Sequence, residues 1–550
     1  MQVSVATRGL KMPDLLNKEL DYMLNKEFDY IVIGSGIGGS VVANRLSANP
    51  AAKVLLLEAG PPDDDSDIHH VELNSLFSVW QKPQLDWGFS TLEEPGLDGR
   101  KMPMLQGKVA GGGSSVHGRI FIRGHRLDFD AWDYAGNQGW AFDDVLPYFK
   151  QSENYFGPAS EHRGKGGPVP VMDLPKDRRS TAAEAFVAGV GELGFATDWD
   201  FNGPKQEGGA GFIQSTTTVD FKRASAFTAY IDPIKGQRNN LTIVYHAQAT
   251  RLLLEKQRVV GVEFSHNGVL RQAKAATEVI LSMGPLNTPK ILMLSGIGPA
   301  ADLSKFGLPV VVDLPGVGRN LQDHLNVRMC WESKVEQKIP MIICEASMFL
   351  HTRAFLSKAS PDLQLFFGGF AFPGLGVDFN RGFALVPVVC RPQSVGRVWL
   401  RSADPFEPLN IQTNYLSCEY DMSVLLAGLK LGREIVHTAP FADMVGQELL
   451  PGPEVGEDVQ KLRKYTKDTC ITDWHPSGTC KMGLDAMAVV DPRLRVYGID
   501  NLRVVDASIM PSVVSGNLQA SVYMISEKGA HMIQQDRESV VQSKFEKVAA

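Results

Sequence analysis

The segment GSGIGG, Gly34 to Gly39, follows directly on a short apolar, β-branched run from Tyr30 to Ile33. After it come SVVANRLSA, with helical apolar spacing, and KVLLLEAG, which ends at Glu58 to Gly60. The spacing predicts strand, glycine turn, helix and second strand. In such a unit Gly34 lets the chain turn tightly, Gly36 lets backbone N–H groups approach a diphosphate at the helix N-terminus, and Gly39 lets helix and strand pack closely. Glu58, about twenty residues on, stands where a carboxylate can accept hydrogen bonds from a ribose hydroxyl. A motif of this kind taken alone can also be a turn that binds nothing. The helix, second strand and acidic residue in register count against that. The pattern does not separate a nicotinamide from a flavin dinucleotide, because both present the same adenosine diphosphate half.

A second glycine-rich stretch, GKVAGGGSSVHGRIFIRG, runs from Gly107 to Gly124. Gly111, Gly112 and Gly113, followed by Ser114 and Ser115, give a backbone that can lie flat against a planar ring and aim N–H donors at it, or a flexible surface tip. Among the twelve histidines, His475 is followed by Pro476, Ser477 and Gly478, residues that suit a tight turn and could fix the direction of its ring. An unperturbed imidazole is mostly neutral at pH 7, and so able to accept a proton.

The chain that must position these groups has 550 residues, enough for two or more structural regions, each with its own core. With 44% hydrophobic and 21% charged residues it reads as an ordinary globular protein. A net charge of −7 argues against a nucleic-acid partner, whose phosphates demand clustered Lys and Arg. The six cysteines, Cys330, Cys344, Cys390, Cys418, Cys470 and Cys480, show no C-x-x-C spacing and no disulfide framework. No residue is assigned to a metal. Met1 to Asn25 lacks the uninterrupted apolar core of a signal peptide, and no run of about 18 to 20 apolar residues could span a bilayer. A cytoplasmic protein is expected.

Four blocks taken together resemble the glucose-methanol-choline (GMC) oxidoreductases: Gly107 to Gly124; GPLNTPKILMLSGIG, Gly284 to Gly298; PGVGRNLQDH, Pro315 to His324; and WHPSGTCKMG with VDASIMPSVVSGNLQASVYMISEKGA. They run in order, and with the glycine-turn segment ahead of them the resemblance spans the chain from about Phe28 to Ile533. The resemblance implies FAD as cofactor and an α/β fold, with a Rossmann-like FAD-binding domain and a second, substrate-binding domain on a mainly antiparallel sheet with helices. The expected division is 26–150, 222–324 and 476–540 for FAD, and 151–221 and 325–475 for substrate. It also implies that Gly112, Gly113, Ser114, His117, Asp506 and Gln519 lie at the cofactor, with Gly34, Gly36, Gly39 and Glu58.

Many family members carry Asn at the position of His117. The SSVH version is similar to aryl-alcohol oxidases and pyranose dehydrogenases, so His117 is either a buried hydrogen-bonding residue or, as the alternative, a covalent link to the flavin. His475 falls where the family places its base. Asn517 matches a second position, filled by Asn or His, from which an amide can hydrogen-bond the substrate oxygen without competing for its proton. The following helix, from about Gln519 to Gln534, is expected to be amphipathic and to aim its N-terminal dipole at the flavin.

Between the dinucleotide-binding blocks, Gln151 to Asp220 and Leu325 to Ile471, with strands such as GRVWLRS (Gly396 to Ser402), are expected to form an antiparallel roof over the flavin. The aromatic stretch Leu363 to Phe383 is expected to fill the core beneath that sheet rather than line a cavity. Asn326 stands where choline-oxidising relatives carry an acid, which disfavours choline. The expected reaction is oxidation of a small primary alcohol, aromatic or medium-chain, by hydride transfer to FAD, with oxygen as acceptor. A dehydrogenase using a quinone or another electron acceptor and a non-redox hydroxynitrile lyase are the alternatives. Oligomeric state is not readable.

Overall fold

A computed structural model of the chain describes residues 21, 24, 26–197, 199–353 and 358–549. The stretch Met1 to Asn25, expected to lack a signal peptide, lies almost wholly outside the described residues. The first sheet is entered immediately. Phe28–Ile33 (β1) leads into a helix, Ile37–Ser47 (α1), and returns as Val54–Leu57 (β2). β1 and β2 run parallel with Ile31 opposite Leu55, and all four residues of β2 are buried. Continuous apolar runs of this kind suit parallel strands covered on both faces.

The chain then crosses to a second layer, where Thr181–Glu192 (α2) precedes a short strand, Ala210–Phe212 (β3). It returns as Leu241–Val244 (β4), parallel to β2, and continues into a meander of Ala247–Glu255 (β5), Arg258–His266 (β6) and Val269–Leu281 (β7). β7 is long because it serves twice. Its first half pairs antiparallel with β6, and its second half pairs parallel with β1. Gly284–Leu294 (α3) follows at once.

The second crossing builds an antiparallel sheet: Leu325–Asn326 (β8), Met329–Ser333 (β9), Ala346–Leu350 (β10), Leu363–Gly368 (β11) and Gly382–Val389 (β12). Helix Glu419–Val436 (α4) covers one face of it, and Val445–Leu450 (β13) and Ile471–Thr472 (β14) complete it. Its main strand order is β13-β9-β12-β11-β10-β3, with β8 joining β12 to β14. Leu502–Val504 (β15) then adds to the outer side of β7 in the first sheet, and the chain closes on the long helix Leu518–Ala549 (α5).

Each sheet has its own apolar cluster. Val32, Leu56, Ile280 and Val504 belong to the first, and Leu365, Phe367, Leu385 and Leu429 to the second. The architecture is the expected one, a Rossmann-like layer beside an antiparallel sheet with helices, and two local expectations need correction. GRVWLRS is not a roof strand: Arg397–Trp399 pairs only with Asn410–Gln412, and Val398 and Leu400 pack into the first cluster. The C-terminal helix is not amphipathic over its first turns, since every residue from Leu518 to Ala530 is buried. It packs against both α1 and the helix Phe142–Ser152, so no face of those turns is left for solvent.

Candidate active site

A large cavity lies between the two sheets, enclosing about 2180 Å³ of atom-free space, part of it open to solvent. Every predicted site residue except Gly39 lines its wall. Gly39 sits below it, where an added Cβ would come within 1.7 Å of the Gly34 carbonyl oxygen, the close helix–strand contact expected of that position. Gly36 is different. A Cβ there would meet nothing nearer than the Gly112 Cα at 4.0 Å outside its own chain neighbours, so packing does not demand glycine and space is left open above it.

The Glu58 carboxylate accepts from the Ser35 backbone N–H (2.9 Å), the Ser35 hydroxyl (2.7 Å) and the Gly60 N–H (2.7 Å). These bonds fix the carboxylate against the glycine turn and leave lone pairs for a further donor. Gly112 and Gly113 open a short helix, Gly113–Val116, on the cavity wall. Ser114 turns its hydroxyl inward, donating to the Gly111 carbonyl (2.6 Å) and accepting from Ala226 N–H (2.8 Å), so it shapes the loop with its side chain. Asp506 likewise works within the chain: it accepts from Gly284 N–H (3.0 Å), Thr288 (2.6 Å) and Ser508 N–H (2.8 Å), holding the start of α3.

His117 and Gln519, predicted separately, are joined. The His117 Nε2 lies 3.0 Å from Gln519 Oε1, while Nδ1 accepts from Arg119 N–H at 3.0 Å. An amide oxygen only accepts, so Nε2 carries the proton and Nδ1 the lone pair. Burial and the Arg223 guanidinium push this imidazole down to about 3, so it is neutral. Both ring nitrogens are engaged, which is the geometry of a buried hydrogen-bonding residue.

His475 and Asn517 come together, His475 Nε2 lying 3.4 Å from Asn517 Nδ2. Each is held from behind. The His475 backbone N–H donates to Asp323 (2.8 Å), whose carboxylate also accepts from Thr472 and Tyr415. Asn517 directly precedes α5, after a loop in which Ser515 donates through N–H (2.7 Å) and hydroxyl (3.0 Å) to Asp128, while Gln206 donates to the Ser515 carbonyl. Trp474 adopts φ +59°, a left-handed conformation unusual for an aromatic residue, and Asp473, Trp474 and His475 all reach the cavity.

A second imidazole sets the tautomer of the first. His324 Nε2 lies 3.1 Å from the Cys390 carbonyl, which only accepts, so Nε2 carries the proton and Nδ1 the lone pair. His475 Nδ1 lies 3.0 Å from that Nδ1 and must donate to it. The proton of neutral His475 is therefore on Nδ1, and Nε2 beside Asn517 keeps its lone pair. Both rings are neutral: burial takes His324 down to about 4, and burial first, then His324 and His117, hold His475 well below the ordinary histidine range.

The far wall corrects the expectation for the aromatic stretch. Phe366, Phe367, Phe370 and Phe372 line the cavity, Phe367 also packing in the second cluster and Phe370 and Phe372 against Leu73 and Leu76. Trp80 and Trp474 join them, edge to face at 5.0 Å. Sequence reasoning missed three participants. Asp473 accepts a hydrogen bond from Asn326 Nδ2, and burial raises it to about 7. Arg328 reaches the same wall, and His324 was noticed only as part of a motif. Two of these carry a signal in the chain itself: His324 closes the NLQDH block, and Asp473 stands two residues before the predicted base.

Among the described residues no helix is long and apolar enough to cross a membrane. Two family models described as GMC oxidoreductase match the chain, at residues 28–326 and 392–526. It is 38% identical over 529 residues to an oxygen-dependent choline dehydrogenase of Brucella suis, covering 92% of this chain and 95% of the relative. An alcohol dehydrogenase [acceptor] of Pseudomonas putida is 37% identical over 531 residues, with 92% and 95% covered. Among solved structures, pyridoxine 4-oxidase from Mesorbium loti superposes with a TM-score of 0.85 at 30% identity, covering 92% of this chain and 99% of that one. The glycine turn and the open floor at Gly36 fit the FAD on which this family depends. The chain belongs to the GMC oxidoreductase family and is an FAD-dependent enzyme acting on CH–OH donors.

Proposed function

We propose that this enzyme oxidises a primary alcohol to the aldehyde, with His475 as the base and oxygen as the final acceptor. The observation that carries the reading is the hydrogen-bond series from the Cys390 carbonyl through His324 to His475, which leaves a neutral imidazole with its Nε2 lone pair beside Asn517. Bound FAD supplies the acceptor for the hydride that leaves the alcohol carbon. His475 Nε2 takes the hydroxyl proton, and the Nδ1–H bond to His324 steadies the ring as it becomes charged. Asn517 donates through Nδ2 to the substrate oxygen and holds it against the base. The aromatic wall excludes water around the reacting carbon.

We assign cofactor binding to 26–150, 222–324 and 476–540, which supply Gly34, Gly36, Glu58, Gly112, Gly113, Ser114, His117, Asp506 and Gln519. Substrate binding falls to 151–221 and 325–475, which supply the phenylalanines, Asp473 and Arg328. His117 is read as a non-covalent neighbour of the flavin, because both its nitrogens are already bonded. All six cysteines are free thiols, which supports a reducing compartment, the cytoplasm. The relative from Pseudomonas putida, an alcohol dehydrogenase [acceptor], favours a second reading in which a carrier other than oxygen takes the electrons. Anaerobic mixing with a series of primary alcohols is expected to bleach the flavin absorbance, and admission of air to restore it with one peroxide per aldehyde. Absence of bleaching by any alcohol rejects the reaction. Bleaching without reoxidation in air rejects oxygen and leaves the other acceptor.

A further inference from the structure

If this cavity is an alcohol-oxidising site, as proposed, the polar groups of its far wall specify more than an alcohol. Arg328 is half-buried there, its guanidinium 4.7 Å from the centroid of the Phe372 ring. Its backbone carbonyl accepts from the Tyr465 hydroxyl at 2.6 Å, but its side chain makes no hydrogen bond and no ion pair within 4.0 Å among the described residues. A guanidinium stays charged at any working pH and carries five donors in a planar fork. Donors that the chain leaves unused on a cavity wall call for an acceptor from the ligand.

The charges facing it do not neutralise it. Asp473 is the carboxyl that interacts with Arg328 electrostatically, and it is turned toward Asn326. Burial and the nearby Asp323 hold Asp473 up to about 7, so it is only partly ionised at neutral pH, and a second anion beside it would favour its protonated, donating form. His324 and His475 are neutral. Behind His117 stand two more arginines, Arg119 and Arg223, bonded to backbone carbonyls. Glu58 and Asp506, the other cavity-lining carboxylates, are taken up by the chain at the glycine-turn end.

We propose that Arg328 is a specificity-determining residue, and that the substrate is an alcohol bearing a carboxylate at the end remote from the reacting carbon. The carboxylate takes the guanidinium fork, while the body of the molecule lies against Phe366, Phe370 and Trp474. A quaternary ammonium alcohol is rejected, because the Phe372 face that would attract it is held by the chain's own cation.

Three alcohols on one scaffold test this with the holoenzyme: 4-(hydroxymethyl)benzoate, benzyl alcohol and 4-(hydroxymethyl)-N,N,N-trimethylanilinium. The carboxylate is expected to exceed benzyl alcohol in kcat/KM by about 10- to 100-fold, the scale of one charge-assisted hydrogen-bonded contact, with the cation lowest. Arg328→Met should collapse the carboxylate-to-neutral ratio to about 3-fold or less, and Arg328→Lys should leave it intermediate. A binding arm needs no turnover: 4-methylbenzoate should perturb the flavin absorbance, with a Kd raised about 10-fold or more by Arg328→Met. Equal or reversed ranking of the three alcohols, or a 4-methylbenzoate Kd indifferent to Arg328, overturns the proposal. If 4-methylbenzoate binds in an Arg328-dependent way but no alcohol bleaches the flavin, the alcohol-oxidising reading fails and recognition of the carboxylate stands.

Discussion

At the glycine-turn end of the cavity the chain holds its charged groups in hydrogen bonds of its own. Glu58 is met by Ser35 and Gly60, and Asp506 by Gly284, Thr288 and Ser508. At the far end it has not. Asn326 Oδ1, Asp473 Oδ2 and Asn517 Oδ1 are buried without a hydrogen-bond partner among the described residues, and the Arg328 guanidinium rests on an aromatic ring. The first end is a rigid backbone cradle that tolerates one shape. The second carries donors and acceptors that the chain itself does not meet, and a ligand that meets them is favoured over one that cannot. Substitutions at the two ends should fail differently: one set loses cofactor, the other loses rate with cofactor retained.

The largest expected effect is at His475. His475→Ala removes the proposed acceptor of the hydroxyl proton, and the rate of anaerobic flavin reduction should fall about 10²- to 10⁴-fold while flavin content stays near that of the parent. A variant that loses flavin in proportion to rate would mean that His475 supports binding, and the contrast between the ends would vanish. Asn517→Ala should cost about 10- to 100-fold in the same rate, since it deletes one hydrogen bond to the oxygen and leaves the base in place. If the alanine variant matches the parent in reduction rate, the amide has no part in orienting the alcohol.

The glycine end gives a smaller but sharper pair. Gly39→Ala drives a Cβ to 1.7 Å from a backbone oxygen, so the fold itself should suffer, by about 1–3 kcal/mol or more, with or without FAD. Gly36→Ala meets only the Gly112 Cα at 4.0 Å. Its apoprotein should melt within about 0.5 kcal/mol of the parent while the Kd for FAD rises about 10-fold. Thermal melts of the apoproteins, set beside FAD titrations, read both. Equal damage to both apoproteins would show that Gly36 is a packing glycine and that the cradle extends no open floor.

Legibility in the sequence divides along the same line. The turn, the helix and Glu58 lie within one short stretch, so spacing alone places them: β1, α1 and β2 occur where the apolar runs indicate, β1 beginning two residues earlier than the Tyr30 start. The far wall is assembled from residues distant in the chain, Trp80, Arg328, Phe370 and Asp473, and pairing of β8 with β14 is what brings Arg328 near Asp473. No local periodicity reports that Phe370 faces a void and not a neighbour. The amphipathic expectation for α5 failed for a related reason: polar side chains such as Ser526, Glu527 and Lys528 suggest a wet face, yet Glu527 is buried against Arg45 and Tyr230, and Lys528 reaches the Gly139 carbonyl. Long-range ion pairs and hydrogen bonds absorb residues that a sequence pattern assigns to solvent.

The smallest expected effect is on the pH profile. As the proposed base His475 must be unprotonated, and burial together with His324 and His117 lowers its pKa well below the ordinary value near 6.5. A lowered pKa keeps the base free as pH falls, and activity is lost only when pH passes through the shifted value. Between pH 8 and pH 6, kcat for benzyl alcohol should change by less than about 2-fold, where an unshifted imidazole would lose roughly three quarters of its free form by pH 6. Asp473 titrates inside this window, at about 7, but in the proposed binding mode it lies beside Arg328 at the remote end of the substrate. For a neutral alcohol its ionisation should move KM more than kcat, and Asp473→Asn should flatten the KM profile without displacing the acid limb of kcat. An acid limb near 6.5 in the parent would mean that the ring is solvated in the working enzyme. The series from Cys390 through His324 would then not govern its protonation.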